Sequence, residues 1–479
     1  MTRANDTYPS EAHLAISRPS IGRPIPWSFP PHREWRLDNG LRVWAFDLPS
    51  QAVISADVVF DIGLNSEPRA LEGVAALAAD VADEGTTSHP GELFAAAVES
   101  AGVMLSTRTT YQSTRLGVDV AADHLEVGLA LLTEALWEPV YDAVDVARHV
   151  DDELTSLVDM EANPTAKTAN AARAALFPTA WRESRRLNGD QETLTRINPA
   201  ALQSFHDQYW SPAAATLIVA GQLPRDIAAI VQRACSRTPA TTAAVPPVSP
   251  VLPPVLPVSE TATGDAAPTA ARHVWVVHHP GAVQSVVNVS CLTPTRGHPD
   301  LEPLQIGAIA MGGSFLSRLN RVLREERGFT YGANCSVAPL RNTGVFSAGA
   351  KCRPEVTGAL LSELLLLLDV SAQPFSTVEI NDAIDYAIGV APLAYDTADA
   401  IANQAGGFVA NGMSPEWFGV HQNACLQVTP ESATAAFNRW IDPEKLHIVV
   451  GGDATALVPA LAALGLAPTV VDAFGHPVA

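Results

Sequence analysis

The sequence predicts an α+β fold of two tandem homologous domains, each a mainly antiparallel sheet packed with helices, and three observations predict it. The stretch from about Thr238 to Ala271 is rich in Pro, Ala, Thr and Val, as in VPPVSPVLPPVLPVSE, a composition suited to an extended spacer and to neither a helix nor a central strand. The segments on either side of it repeat one another. AVIS at Ala52–Ser55 returns as AVQS at Ala282–Ser285, an offset of 230. LLTE at Leu131–Glu134 returns as LLSE at Leu360–Glu363, and SPAAATLIVAG ending at Gly221 returns as DPEKLHIVVGG ending at Gly452, at offsets of 229 and 231. Third, runs of period 2 and period 3.6 follow one another within the first half, so each repeat mixes strands and helices. The expected organisation is a flexible N-terminal arm at 1–30, a first domain at 31–237, a linker at 238–271 and a second domain at 272–479.

The elements follow in order. The arm carries Pro9, Pro19, Pro24, Pro26, Pro30 and Pro31 and no apolar run of signal-peptide length, and no later stretch reaches the ~18 apolar residues of a membrane helix. Asp38-Asn39-Gly40, inside WRLDNGLRVW, is a turn signal between two strands. Ile54, Ala56, Val58, Phe60 and Ile62 alternate with Ser55, Asp57, Val59 and Asp61, the pattern of a strand with one face on a core. Gly73 to Thr86 (GVAALAADVADEGT) then places Val74, Leu77, Ala78 and Val81 on one stripe of an amphipathic helix, with Ala76, Ala79 and Asp80 on a second face. A further helix from about Gly91 to Ala101, strands near 103–109 and 114–120, helices at 123–137 and 144–160, and a strand at Leu217–Ala220 complete the first half.

Composition narrows function. Fifty-one acidic residues against 30 basic ones give a formal net charge of −21, which leaves no basic surface to displace the counterions of a nucleic acid. The small cluster Arg182, Arg185 and Arg186 in WRESRR does not alter this. The cysteines, Cys235, Cys291, Cys335, Cys352 and Cys425, are odd in number and never spaced as CxxC, so buried free thiols in a reducing compartment are expected, and the protein is read as soluble and cytoplasmic. His149 and Glu153, one helical turn apart, fit either a metal pair or an ordinary hydrogen bond, whereas His278 and His279, adjacent on a strand end, point to opposite faces. On residue chemistry alone Arg324, beside Glu325 and Glu326, is a solvated helix residue, and Tyr331 packs on a core. Gly312 and Gly313 form a substrate-approach loop or an ordinary turn.

Several blocks together resemble the M16 family of zinc peptidases, the insulinase and pitrilysin group, and within it the two-domain subunits that include mitochondrial processing peptidase. They are LDNGLRV at Leu37–Val43, GLNSEP at Gly63–Pro68, the frame of Gly73, Ala75 and Gly85-Thr86, HPGAVQS at His279–Ser285, and GGSFLSRLNRVLREERGFTYGA at Gly312–Ala333. That family carries HxxEH in the first frame, with a third zinc ligand, a Glu, about 76 residues beyond the second His. Counted onto this chain, those positions are Ala76, Ala79, Asp80 and Ser156, and the repeat offset carries the helical ones to Ile306, Ile309 and Ala310. Alanine offers a metal no donor, and one carboxylate does not hold Zn²⁺ alone. The resemblance therefore implies a non-catalytic subunit with no cofactor of its own. Its expected partner is a homologous HxxEH subunit that holds zinc, and the substrate is a peptide held between the two. The motif LREERGFTY matches the Arg and Tyr that such a subunit directs at its partner's active site, here Arg324 and Tyr331, with Gly312 and Gly313 as substrate-binding positions. The rival from another class is a scaffold subunit of a larger assembly with no role in hydrolysis.

Overall fold

A computed structural model describes residues 22–236 and 272–478. The expected linker and residues 1–21 of the expected arm lie outside the described residues. The described residues of the first half contain six strands, β1 (Arg33–Arg36), β2 (Arg42–Asp47), β3 (Val53–Phe60), β4 (Met104–Thr109), β5 (Thr114–Ala121) and β6 (Ala215–Gly221), in the order β1-β2-β6-β3-β5-β4. The second half contains β7 (Val274–His278), β8 (Ser285–Thr293), β9 (Thr330–Pro339), β10 (Gly344–Cys352), β11 (His447–Gly452) and β12 (Thr469–Val471), in the order β12-β7-β11-β8-β10-β9. From the second position onward the two orders are the same. The sheets are mixed: β2 runs parallel to β6, and β7 parallel to β11 and β12, while the other pairs are antiparallel. The turn at Asp38-Asn39-Gly40 forms where its residues require it. Gly40 takes φ +89°, and the Asn39 side chain accepts from Leu41 N at 3.1 Å and donates to the Cys235 carbonyl at 2.8 Å.

Two expectations about burial are corrected. The strand β3 is covered on both faces, not one: Ser55, Asp57 and Val59 are as buried as Ile54, Ala56 and Val58. The cover comes from the other half. The helix Ala398–Ala410 lies across the outer face of the first sheet, where Ala402, Ala405 and Phe408 pack with Val59, Ile218, Trp44 and Phe46. The exchange is reciprocal, because the first-half helix Pro164–Leu176 places Ala171, Ala172 and Ala175 on Val277, Val449 and Val471 of the second sheet. Part of the expected N-terminal arm joins the first of these layers, where Trp27 stacks on Tyr395 at 5.3 Å and Phe29 meets Phe46 and Phe408 edge-on.

The second correction concerns the helix expected over Gly73–Thr86. It runs only from Val74 to Asp80 and is buried on nearly every side, with Val74 through Ala79 all enclosed. It packs against the helix Pro199–Tyr209 and against Tyr141, whose hydroxyl donates to the Ala78 carbonyl at 3.0 Å, while Asp80 on its second face meets Thr107 of β4. Among the described residues no helix is long and apolar enough to cross a membrane.

Candidate functional site

The short helix Val74–Asp80 is held at its N-terminus by one buried carboxylate. Glu67 Oε1 accepts from Gly73 N and Ala75 N, both at 2.9 Å, and its Oε2 takes the Arg182 guanidinium at 2.9 Å. Gly73 itself sits at φ +104°, and a side chain there would meet the Asn188 carbonyl oxygen at 2.8 Å. Burial pushes Glu67 up to about 7 while the guanidinium and the two amides pull it down. The arginines of WRESRR are consumed in this work. Arg182 also donates to the carbonyls of Arg185, Arg186 and Leu187, and Arg185 pairs with Glu72.

At the helix C-terminus Ala76 and Ala79 contribute only methyl groups, 7% and 0% exposed. Asp80 accepts from Thr107 Oγ1 at 2.5 Å, and burial raises its carboxyl. Asp83 beyond it is pushed up to about 6 by burial, with Glu84 and Asp80 adding to the shift. Glu84 is partly buried, yet Arg148 at 2.8 Å and His149 at 2.7 Å hold it below the ordinary value. His149 thus bonds Glu84 and not Glu153. Ser156 is on the exposed side of the helix Ala143–Ala162 and accepts from Arg186 Nη2 at 3.2 Å. Glu153, one turn earlier, is taken by Asn188 at 2.8 Å and by Arg186 at 3.6 Å. These residues do not fit a zinc ion: two of the four positions have no donor atom, and Asp80 Oδ1 and Ser156 Oγ already have protein partners, which leaves one carboxylate oxygen, too few for zinc. Among the described residues, no group of three or more His, Cys, Asp or Glu is arranged to hold a metal.

The second candidate region lies between the helix Leu301–Ala308 and β9. Wide π-helical turns at Ile309–Gly313 and Asn320–Glu326 bracket the loop that carries Phe315 and Leu316. Gly312 and Gly313 therefore end a helix and do not form a loop. Gly312 is buried, and a Cβ on it would lie 2.5 Å from the Cys335 Cβ, so packing against β9 accounts for this glycine, while Gly313 reaches the surface. Asn320 ties the region together: its amide donates to Ser314 O, Ser317 Oγ and Ala333 O at 3.0–3.1 Å and accepts from Ala333 N at 2.9 Å. Beneath it Arg318 is fully buried, paired with Glu379 at 2.8 Å and bonded to the carbonyls of Gln373 and Pro374.

Arg324 is placed by this frame but folded back. Its guanidinium lies 3.7 Å from the centroid of the Phe315 ring, bonds Glu325 at 2.9 Å and donates to the Phe315 carbonyl at 3.3 Å. Tyr331, expected to pack on a core if it had no other role, is instead 96% exposed at the start of β9. Phe315, which covers Arg324, and its neighbour Leu316 are 71% and 82% exposed. Arg324 is thus largely covered, its side chain 16% exposed under Phe315 and Glu325, whereas Phe315, Leu316 and Tyr331 are exposed apolar side chains of the same block. Sequence reasoning passed over Phe315, Leu316, Asn320 and Arg318, although all four lie inside the block GGSFLSRLNRVLREERGFTYGA. Two adjacent large apolar residues just after a glycine pair were the available signal.

Comparison with known proteins gives two family models, "Insulinase (Peptidase family M16)" over residues 42–188 and "Peptidase M16 inactive domain" over residues 196–386. An uncharacterized zinc protease of Mycobacterium tuberculosis is 25% identical over 325 residues, 67% of this chain and 70% of that protein. Among solved structures, the peptidase M16 inactive domain from Pseudomonas fluorescens superposes with TM-score 0.76 at 20% identity, covering 88% of this chain and 98% of the other. A protease from Helicobacter pylori superposes with TM-score 0.77 at 17% identity, covering 88% and 100%.

Proposed function

Because the chain belongs to the M16 peptidase family, we propose that it is the non-catalytic subunit of a heterodimeric zinc metallopeptidase, binding peptide and presenting Arg324 and Tyr331 to the active site of an HxxEH-bearing partner. In this reading residues 31–237 and 272–479 are the two domains and 238–271 the linker between them. One observation carries the proposal. The four positions counted onto the family's metal and base residues are taken up by packing and hydrogen bonds, while Tyr331 stands exposed on β9 and Arg324 is held on the Asn320 frame under the exposed Phe315. Zinc and the activated water belong to the partner in this scheme. What this chain adds is a guanidinium fork suited to peptide carbonyls or a carboxylate and a phenol able to donate to a developing oxyanion. Arg324 must first leave Phe315 and Glu325 to do so.

The test is to recover the chain with its bound proteins from its own cells and identify them by mass spectrometry. A near-stoichiometric partner of similar size carrying HxxEH supports the reading. In the reconstituted complex, Arg324→Ala and Tyr331→Phe are each expected to lower kcat/KM roughly 10–100-fold without splitting the complex. A doubly substituted complex that cleaves as fast as the parent removes the pair from catalysis. Recovery of the chain alone, or with partners lacking HxxEH, assigns it instead to the scaffold role.

A further inference from the structure

At the opposite end of the helix Leu301–Ala308 from Gly312 and Gly313, its first turn and the helix Trp417–Leu426 bring together a thiol, an imidazole and a carboxylate. Cys425 Sγ lies 3.7 Å from His421 Nε2 across one helical turn. The other ring nitrogen, Nδ1, is 3.0 Å from Glu302 Oε1. One turn earlier Trp417 stacks flat on the imidazole, with centroids 4.7 Å apart and planes at 11°. The ring is therefore fixed in position and in tautomer, since Nδ1–H donates to the carboxylate and the Nε2 lone pair is left facing the sulfur.

The order of thiol, imidazole and carboxylate is also that of a cysteine hydrolase, but Cys425 is only 4% exposed, and burial pushes its thiol up to about 12, so it is a neutral thiol sheltered from a polymeric substrate. A small cation is a different matter. His421 is 24% exposed on its side chain and opens the pair toward solvent. A tetrahedral ion with bonds of ~2.3 Å to sulfur and ~2.05 Å to nitrogen sets those two atoms roughly 3.5 Å apart, close to the spacing present without it. Two-coordinate linear ions need a separation above ~4 Å and fit less well.

We infer that Cys425 and His421 form a two-donor site for a thiophilic divalent cation of the zinc and cadmium class, with Glu302 fixing the imidazole from behind and water completing the coordination. On binding, the Cys425 S–H bond breaks, its proton passes to solvent and a metal–sulfur bond forms, with no change of oxidation state. The inference is independent of the peptidase role proposed above. Glu302 does not converge on the ion, because its carboxylate is committed to the far side of the ring, so the site has two protein donors and not three.

The experiment is a titration of the full chain with Cd²⁺, read by the ultraviolet cadmium–thiolate charge-transfer band and by tryptophan fluorescence, with Zn²⁺ as competitor. One Cd²⁺ per chain is expected to develop the band and perturb the fluorescence together, and Zn²⁺ to remove the band by displacing Cd²⁺ from the same site. Cys425→Ser should abolish the band, His421→Ala should weaken binding tenfold or more, and Glu302→Gln should weaken it roughly 10-fold through loss of ring orientation. Trp417→Phe should remove the fluorescence response while keeping the band. A band of unchanged stoichiometry in Cys425→Ser, unchanged affinity in His421→Ala, or no saturable binding by the parent each overturns the site. The His421→Ala arm decides the matter even if Cys425→Ser fails to fold.

Discussion

Gly451 has no room for a side chain because another residue has taken the space. A Cβ built on it would lie 1.8 Å from Thr168 Oγ1 and 3.0 Å from Thr168 Cβ, and that hydroxyl is pinned to the Pro164 carbonyl at 2.6 Å. Thr168 belongs to the exchanged helix, so this one contact sets how closely that helix approaches the second sheet. Gly451→Ala is expected to cost roughly 1–3 kcal/mol by overpacking. Thr168→Ala should relieve much of it, which a double-mutant cycle on unfolding free energies would show as favourable coupling. Asp57 makes the matching point in electrostatics. It is 2% exposed, its Oδ1 is 3.0 Å from Arg115, and its Oδ2 has no partner. Burial first, with Asp399 and Asp119 adding, pushes it up to about 7 against the pull of Arg115. A carboxyl raised on folding keeps its proton in the native state longer than in the unfolded chain, so its contribution to stability is greatest below pH ~4, declines as pH rises toward ~7 and is then flat. The span is on the order of 4 kcal/mol at ~1.4 kcal/mol per pH unit. Asp57→Asn should remove that slope, checked by denaturant unfolding of both proteins from pH 4 to 8.

At the scale of the element, the helix Val74–Asp80 is seven residues long and so too short to be stable by itself. Its survival rests on enclosure and on Glu67, which satisfies two of its free N–H groups and balances the buried Arg182. Glu67→Ala would leave both amides and a guanidinium without their acceptor. A loss of roughly 3–5 kcal/mol is expected, with Glu67→Gln costing less because one acceptor remains. A midpoint shift in urea unfolding measures either change. The helix also shows what the sequence could and could not convey. Its start was legible from Gly73 and the periodic Val74, Leu77 and Ala78, because those signals are local. Its early end and its burial on all sides were not legible, since they depend on Tyr141 and on Pro199–Tyr209, far along the chain. The same division holds at the candidate sites. Counting the resembled motif onto the chain singles out Ala76, Ala79, Asp80 and Ser156, but the partners of Asp80 and Ser156, Thr107 and Arg186, are not legible in the sequence. The resembled motif singles out Arg324, but its stacking on Phe315 depends on a loop whose path only the three-dimensional packing defines.

Over the whole molecule, the repeat in the sequence corresponds to two sheets of matching strand order, yet the two halves are not self-contained. Each sends a helix to cover the other's sheet, Pro164–Leu176 in one direction and Ala398–Ala410 in the other. Polar contacts run alongside: Arg115 reaches Asn403 at 2.9 Å and Asp399 at 3.2 Å, and Arg341 pairs with Asp61. A half expressed alone would expose the outer face of its own sheet and the apolar face of its outgoing helix, and neither surface is compatible with a soluble monomer of ordinary stability. Cutting the chain between the halves should therefore do little, because the exchange and not the connection holds them together. A protease site placed within 238–271 and cleaved after folding is expected to leave one particle on size-exclusion chromatography, unfolding in a single transition close to that of the intact chain. Residues 22–236 and 272–478 produced separately should aggregate or remain unfolded, and should recover the native circular dichroism only when refolded together. Separation of the cleaved halves under native conditions would show instead that the exchanged helices contribute little and that each sheet is stable with its own helices alone.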